Sequence, residues 1–171
     1  VKGLYMTRAS DAKLRAQAQH GGTVSTLVAL ALEEGLINTA VLAGKEKNHS
    51  SESVAVTDPS LVASLSGSKF SVSPTLAKFN ELSQGDPSRI GVVATPCQAL
   101  ALARMRVNPQ PGDEARVKNL ELVIGLFCGW ALSFRELNRL IREKTGATEI
   151  NGMDIPPSKH QIMELQTDKG I

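Results

Sequence analysis

The chain has 171 residues, 42% of them apolar, and a formal net charge of +2. That length suffices for one sizeable core or for a compact domain with part of a second. A charge so small and dispersed excludes nucleic-acid binding as the leading expectation, and no apolar run approaches the ~18 residues of a membrane span. The N-terminus lacks the charged, apolar, small-residue order of a signal peptide, so the expected location is cytoplasmic. The two cysteines, Cys97 and Cys128, form no disulfide framework; in a cytosolic chain a metal, cluster or redox role is at least as reasonable as a bridge.

In chain order, Gly3 to Thr7 reads as a first strand and Asp11 to Ala18 as a short helix rich in good helix formers. His20-Gly21-Gly22-Thr23 then leads into an apolar helix, Val24 to Glu34, whose leucines and alanines cover so much of its surface that burial is expected. Two glycines at a helix entrance have two readings. They form a tight turn of positive φ, or they let the backbone approach a ligand and aim free N–H groups at a phosphate or carboxylate. Gly35 ends this helix and Thr39 to Ala43 is a second short strand.

Lys45 to Glu52 is polar and serine-rich, as in an exposed loop with little order, and Val54 to Thr57 is a further strand. Asp58-Pro59 opens a helix with Leu61, Val62 and Leu65 as its apolar stripe. The stretch from Ser66 to Pro74 combines a glycine, four hydroxyls, Lys69 and Phe70. It could wrap an anionic ligand while the aromatic lies against a ring, or it could be a plain serine-rich loop; it has no Walker spacing. Thr75 to Leu82 is helical, and Gln84 to Ser88 is a turn.

Ile90 to Ala94 is a short buried strand. Thr95 caps the next helix and Pro96 occupies its first position, where a missing N–H costs nothing. Cys97 thus falls in a first helical turn, where unpaired N–H groups and the helix dipole favour a thiolate. After a loop at Asn108 to Glu114, Leu120 to Phe127 reads as a strand covered on both faces, with Cys128 at its end. Two strands joined through a helix, each delivering a cysteine at its carboxyl edge, place both thiols on one rim of a parallel sheet, where open α/β folds bind ligands. Taken singly, each cysteine reads more readily as a buried small hydrophobe; the matched pair on one edge, which packing does not require, favours a shared role. Ser133 and Glu136 have capping-box spacing ahead of a helix with Leu137, Leu140 and Ile141 inward. Ile150 to Ile155 and Gln161 to Thr167 make an antiparallel pair through Pro156-Pro157-Ser158-Lys159, followed by a turn at Asp168 to Gly170. The expected class is α/β, a mixed, largely parallel sheet with flanking helices and a C-terminal β-hairpin. An ending at a hairpin leads us to expect a longer parent protein. The expected division falls between residues 1–84 and 85–171.

Gly21-Gly22-Thr23-Val24, the helix end Glu34-Gly35-Leu36-Ile37, Gly67-Ser68-Lys69-Phe70, Thr95-Pro96-Cys97-Gln98 and Leu126-Phe127-Cys128-Gly129 occur in an order and spacing that resembles the coenzyme F420 hydrogenase/dehydrogenase beta-subunit family. The resemblance implies an FAD-dependent oxidoreductase subunit. It would pass electrons between a hydrogenase or dehydrogenase partner subunit carrying iron–sulfur clusters and a small hydride carrier such as coenzyme F420. It further implies that Gly21, Gly22 and Thr23 contact FAD, that Gly67, Ser68, Lys69 and Phe70 form a second wall of the site, and that Thr95, Pro96 and Gln98 stand at the same edge. Lys69 and His20 are the catalytic candidates: Lys69 as a positive charge for a phosphate or the reduced ring, His20 as a proton donor or simply a solvated loop histidine. Cys97 and Cys128 resemble two ligands of a 4Fe-4S centre. A cubane takes four ligands, so the set is incomplete in this chain. His49 and His160 suggest no metal site. A non-catalytic docking module of a redox complex is the alternative reading, and a thiol redox protein acting through Cys97 a more remote one.

Overall fold

In the computed structural model, the described residues are 2–47, 50–85, 88–129, 133–156 and 162–171. His49, His160 and parts of the expected 84–88 and 156–161 turns lie outside them. The elements are α1 (Ala12–Gln17), α2 (Thr23–Glu33), β1 (Thr39–Lys47), β2 (Ser50–Val56), a 3₁₀ helix (Pro59–Leu65), α3 (Thr75–Leu82), β3 (Ile90–Ala94), α4 (Pro96–Val107), α5 (Glu114–Lys118), β4 (Leu120–Gly125), α6 (Phe134–Thr145), β5 (Ile150–Asp154) and β6 (Glu164–Thr167). Four strands form one sheet in the order β2-β1-β3-β4, and β5 with β6 forms a separate two-stranded sheet. β1 runs parallel to β3, β3 parallel to β4, and β2 antiparallel to β1. The fold is therefore the expected α/β class with its C-terminal hairpin.

Alternation along the strands divides the core in two, because successive side chains of a strand point to opposite faces. On one face Ala40, Leu42 and Val56 pack with Val28, Ala31 and Leu32 of α2, with Ile37, and with Val62 of the 3₁₀ helix. On the other, Val41, Ile90, Val92, Ala94 and Leu120 pack with Phe79 of α3 and Leu102 of α4. Helices thus cover both faces, which lets β3 be buried along nearly its whole length.

Several local expectations change. Residues 3–7 form no strand: Leu4, Tyr5 and Met6 are exposed, and apolar, aromatic residues without a partner strand have no ladder to join. α2 is amphipathic rather than buried all round, with Leu27 and Leu30 each nearly half exposed. The serine-rich stretch is strand rather than loose loop, since β1 runs to Lys47 and β2 starts at Ser50. Its hydroxyls are accommodated by local acceptors: buried Ser51 donates to the Gly44 carbonyl at 3.4 Å and Ser53 bonds the Ser73 hydroxyl at 2.7 Å. β4 packs side chains on both faces, Leu122 and Ile124 toward α2's side and Leu120 and Val123 toward α3 and α4, but as an edge strand it leaves Glu121 and Gly125 exposed. α5 falls where no element was expected. Ser133 does precede α6, yet its side chain makes no capping bond; Glu136 instead pairs with Arg139 at 3.0 Å.

Candidate functional site

The entrance to α2 is built by its two glycines. Gly21 and Gly22 have φ of 69° and 74°, the left-handed region that side chains other than glycine's adopt only with strain. The Gly22 N–H donates to the His20 carbonyl at 2.9 Å, and the Gly21 carbonyl accepts from Ala9 N–H at 2.7 Å. A Cβ on Gly22 would stand 2.4 Å from Leu14 Cδ2 and 3.4 Å from the Cβ atoms of Ala9 and Ala18. The turn reading is therefore sufficient for Gly22: its N–H is engaged, and the space beside its Cα belongs to α1. The donors that a helix start leaves without intrahelical partners are the N–H groups of its first turn, here from Thr23 onward. The Thr23 hydroxyl meets that of Thr7 at 3.0 Å, and His20 is exposed beside them.

Two hydrogen bonds join this entrance to the other motifs. Ser25, in the first turn of α2, meets the Ser66 hydroxyl at 2.9 Å, which fixes the start of the Gly67-Ser68-Lys69-Phe70 loop against α2. Within that loop Lys69 Nζ donates to the carbonyls of Ser66 at 3.2 Å and Gly67 at 3.3 Å, Gly67 has φ 92°, and Phe70 is half-buried. At its far end the Ser73 carbonyl accepts from Gln98 Nε2 at 2.9 Å. Gln98 also completes a capping box with Thr95, accepting the Thr95 N–H at 3.1 Å. One side chain thus caps α4 and ties it to the serine loop.

Cys97 is exposed in the first turn of α4, its Sγ 3.2 Å from the Thr95 hydroxyl. Past the end of β4, Leu126 N–H still bonds the Ala94 carbonyl at 2.8 Å, so residues 126–129 leave the sheet beside the Thr95 corner, and Cys128 is exposed there. Both thiols lie on the carboxyl rim of adjacent parallel strands, as their positions in the sequence suggested, and neither is a buried hydrophobe. An open cleft of about 330 Å³ at the opposite end of α4, lined by Met105, Asn108, Pro109 and Asp113 among others, shares no residue with these motifs.

Sequence reasoning missed Ser25, which carries no motif signature and differs from neighbouring serines only through what it meets in space. Ser66 and Ser73 belong to the hydroxyl-rich stretch singled out in the sequence, but their partners Ser25 and Gln98 were not legible there. The donor set around the α2 entrance and the 66–73 loop consists of backbone N–H groups, hydroxyls and one ammonium, a chemistry that fits a diphosphate-bearing cofactor such as FAD. The same test fails for a complete 4Fe-4S cluster. Among the described residues no group of three or more His, Cys, Asp or Glu side chains is placed to hold a metal, and two thiols are half of what a cubane takes.

A largely parallel sheet covered by helices on both faces defines an open α/β architecture. Within that class the chain belongs to the coenzyme F420 hydrogenase/dehydrogenase beta-subunit family, a family of oxidoreductase subunits. The family's N-terminal part, "Coenzyme F420 hydrogenase/dehydrogenase, beta subunit N-term", matches residues 4–79, and its C-terminal part matches residues 88–171. Coenzyme F420 hydrogenase subunit beta of Methanothermobacter thermautotrophicus is 31% identical over 94% of this chain and 58% of its own length. The subunit of the same name from Methanococcus voltae is 28% identical over 85% of this chain and 51% of its own. Among solved structures, a chain of the F420-reducing [NiFe] hydrogenase complex from Methanosarcina barkeri shares the fold, with a TM-score of 0.77 at 23% identity over 96% of this chain and 56% of that one. The chain spans a little over half the length of these relatives. Among the described residues no helix is long and apolar enough to cross a membrane.

Proposed function

We propose that this chain is part of an FAD-dependent oxidoreductase subunit that passes electrons between an iron–sulfur partner subunit and a diffusible hydride carrier such as coenzyme F420, in the cytoplasm. The reading rests on one observation above the others: the Ser25–Ser66 and Gln98–Ser73 bonds gather three separate motifs along one edge of the sheet. In the proposed site Gly21 and Gly22 set the turn, while Thr23 and the first turn of α2 offer hydroxyl and N–H donors to the cofactor's phosphates. Gly67, Ser68, Lys69 and Phe70 form the opposite wall, and Thr95, Pro96 and Gln98 close the edge. FAD suits the task because it exchanges a hydride on one side and single electrons on the other. Lys69 holds positive charge where a phosphate or a reduced ring brings negative charge, which favours hydride uptake. In this reading His20, exposed at the α2 entrance, is the candidate proton donor near the flavin. Cys97 and Cys128 contribute two thiolates to a cluster whose remaining ligands come from outside this chain. The 84/85 boundary separates the two proposed parts of the beta-subunit fold along the chain, residues 1–84 and 85–171, which share one sheet.

An anaerobic titration with FAD, followed by flavin fluorescence, tests the reading. Saturable quenching is expected, with affinity reduced about tenfold in Lys69→Ala, the effect of one lost charge-assisted contact. Absence of saturable binding to the wild-type chain overturns a flavin site made by these residues. It would favour the second reading, a docking module, which draws support from the exposed Leu126 and Phe127 beside Cys128.

A further inference from the structure

Gln19 immediately precedes the His20-Gly21-Gly22 turn, and its side-chain amide is held by the far end of the chain. Gln19 Nε2 donates to Asp154 Oδ1 at 2.6 Å and lies 3.3 Å from the Ile155 carbonyl. The acceptor is organised in advance, because the same Oδ1 takes the Ile155 N–H at 2.8 Å. Asp154 is the last residue of β5, in a two-stranded sheet that pairs with no strand of the main one. The contact is therefore a specific tether between the C-terminal hairpin and the glycine turn, made by a carboxylate and an amide at the surface. One residue on, the His20 carbonyl accepts the Gly22 N–H, and Gly22 opens α2. Restraint on Gln19 is transmitted to that bond through two peptide units.

We infer that Gln19 and Asp154 are positioning residues: the hairpin clamps the glycine turn so that the first-turn donors of α2 keep the geometry an anionic cofactor needs. Neither residue touches the cofactor in this scheme. The consequence for affinity rests on the flavin reading above, whereas the consequence for the turn does not. Preorganisation of this kind raises affinity by removing the ordering cost at the moment of binding.

The test compares Asp154→Ala, Asp154→Asn and Gln19→Ala by amide hydrogen exchange over residues 19–26 without ligand, and by FAD titration. Asn retains the Oδ1 acceptor for both Gln19 and Ile155, so Asp154→Asn is expected to keep wild-type protection. Asp154→Ala and Gln19→Ala should each lose protection at Gly22, whose N–H bonds the His20 carbonyl, and at Thr26, whose N–H bonds the Gly22 carbonyl, by about three- to tenfold, and the double variant should lose no more than either alone. FAD dissociation constants are expected to rise by the same factor in the alanine variants and to be restored in Asp154→Asn. Unchanged exchange in Asp154→Ala overturns the clamp, whatever FAD does. If the wild-type chain binds no FAD while the exchange pattern is as expected, the flavin reading fails and the clamp stands. Loss of protection in Asp154→Asn equal to that in Asp154→Ala also overturns it, because the carboxylate's charge rather than the tether would then matter.

Discussion

At the scale of single residues, the glycine before α2 separates backbone conformation from packing. Gly22 and Gly35 have nearly the same φ, 74° and 67°, but a Cβ on Gly22 would press on Leu14 whereas one on Gly35 would meet nothing within 4 Å. Gly35→Ala should cost about 1 kcal/mol, the strain of a left-handed alanine alone, and Gly22→Ala about 2–3 kcal/mol, because Leu14 must also move. Urea unfolding of the two variants checks the difference; equal losses would mean that Leu14 yields freely. Substitutions at Gly22 consequently perturb α1 and α2 whatever they do to a ligand, which is why Lys69 is the cleaner flavin probe. The positive φ was legible in the Gly-Gly pair. The neighbour that fills the Cβ position was not, since Leu14 reaches it only after α1 folds back on the turn.

Among the elements, the C-terminal hairpin shows how polar side chains hold a sheet too small to own a core. The Asp168 carboxylate accepts the Thr148 N–H and hydroxyl at 3.1 Å each and the Glu149 N–H at 3.2 Å, joining the approach to β5 with the turn after β6. The Glu149 N–H foremost holds this carboxyl below the usual aspartate range; desolvation opposes it as the next largest influence, and the Thr148 hydroxyl and N–H add to the lowering. A lowered folded-state value means that the stabilisation is fully present above the unfolded aspartate value, near pH 4, and is lost as pH falls through the folded one. Amide protection at Thr148 and Glu149 should therefore decline below about pH 4 in the wild type. In Asp168→Asn it should be lower at neutral pH and flat across the same range; an equally steep decline in that variant would assign the effect to another group. Both strands of this hairpin were expected from the sequence, as two short segments joined through a proline-rich turn. The capping box expected at Ser133 and Glu136 was not realised, because Glu136 finds closer partners in Arg135 and Arg139.

For the molecule as a whole, the decisive fact is that β3 is flanked by β1 on one side and β4 on the other. The boundary proposed at residues 84 and 85 therefore divides the polypeptide but not the sheet. Phe79, fully buried where α3 covers β1 and β3, should be worth about 3–5 kcal/mol when cut to alanine, a large share of the roughly 5–15 kcal/mol of a domain. Leu27→Ala, on the outer face of α2, should change stability by less than about 1 kcal/mol. Chemical denaturation of the two variants tests both, and a comparable loss at Leu27 would overturn the assignment of that face to solvent. The sequence by itself determined the elements with strong local signals: the capped α4 after β3, the glycine entrance to α2, the hairpin, and the order of motifs that marks the family. These depend on backbone conformation and on spacing along the chain. Only the tertiary structure decided which face of α2 meets solvent, that β4 is the sheet's edge, that the serine-rich stretch pairs as strand, and that Ser25, Ser66, Ser73 and Gln98 tie the motifs together. Those outcomes depend on which partner each group finds in space, and a hydrogen bond between residues far apart in sequence leaves no periodic trace in the chain that makes it.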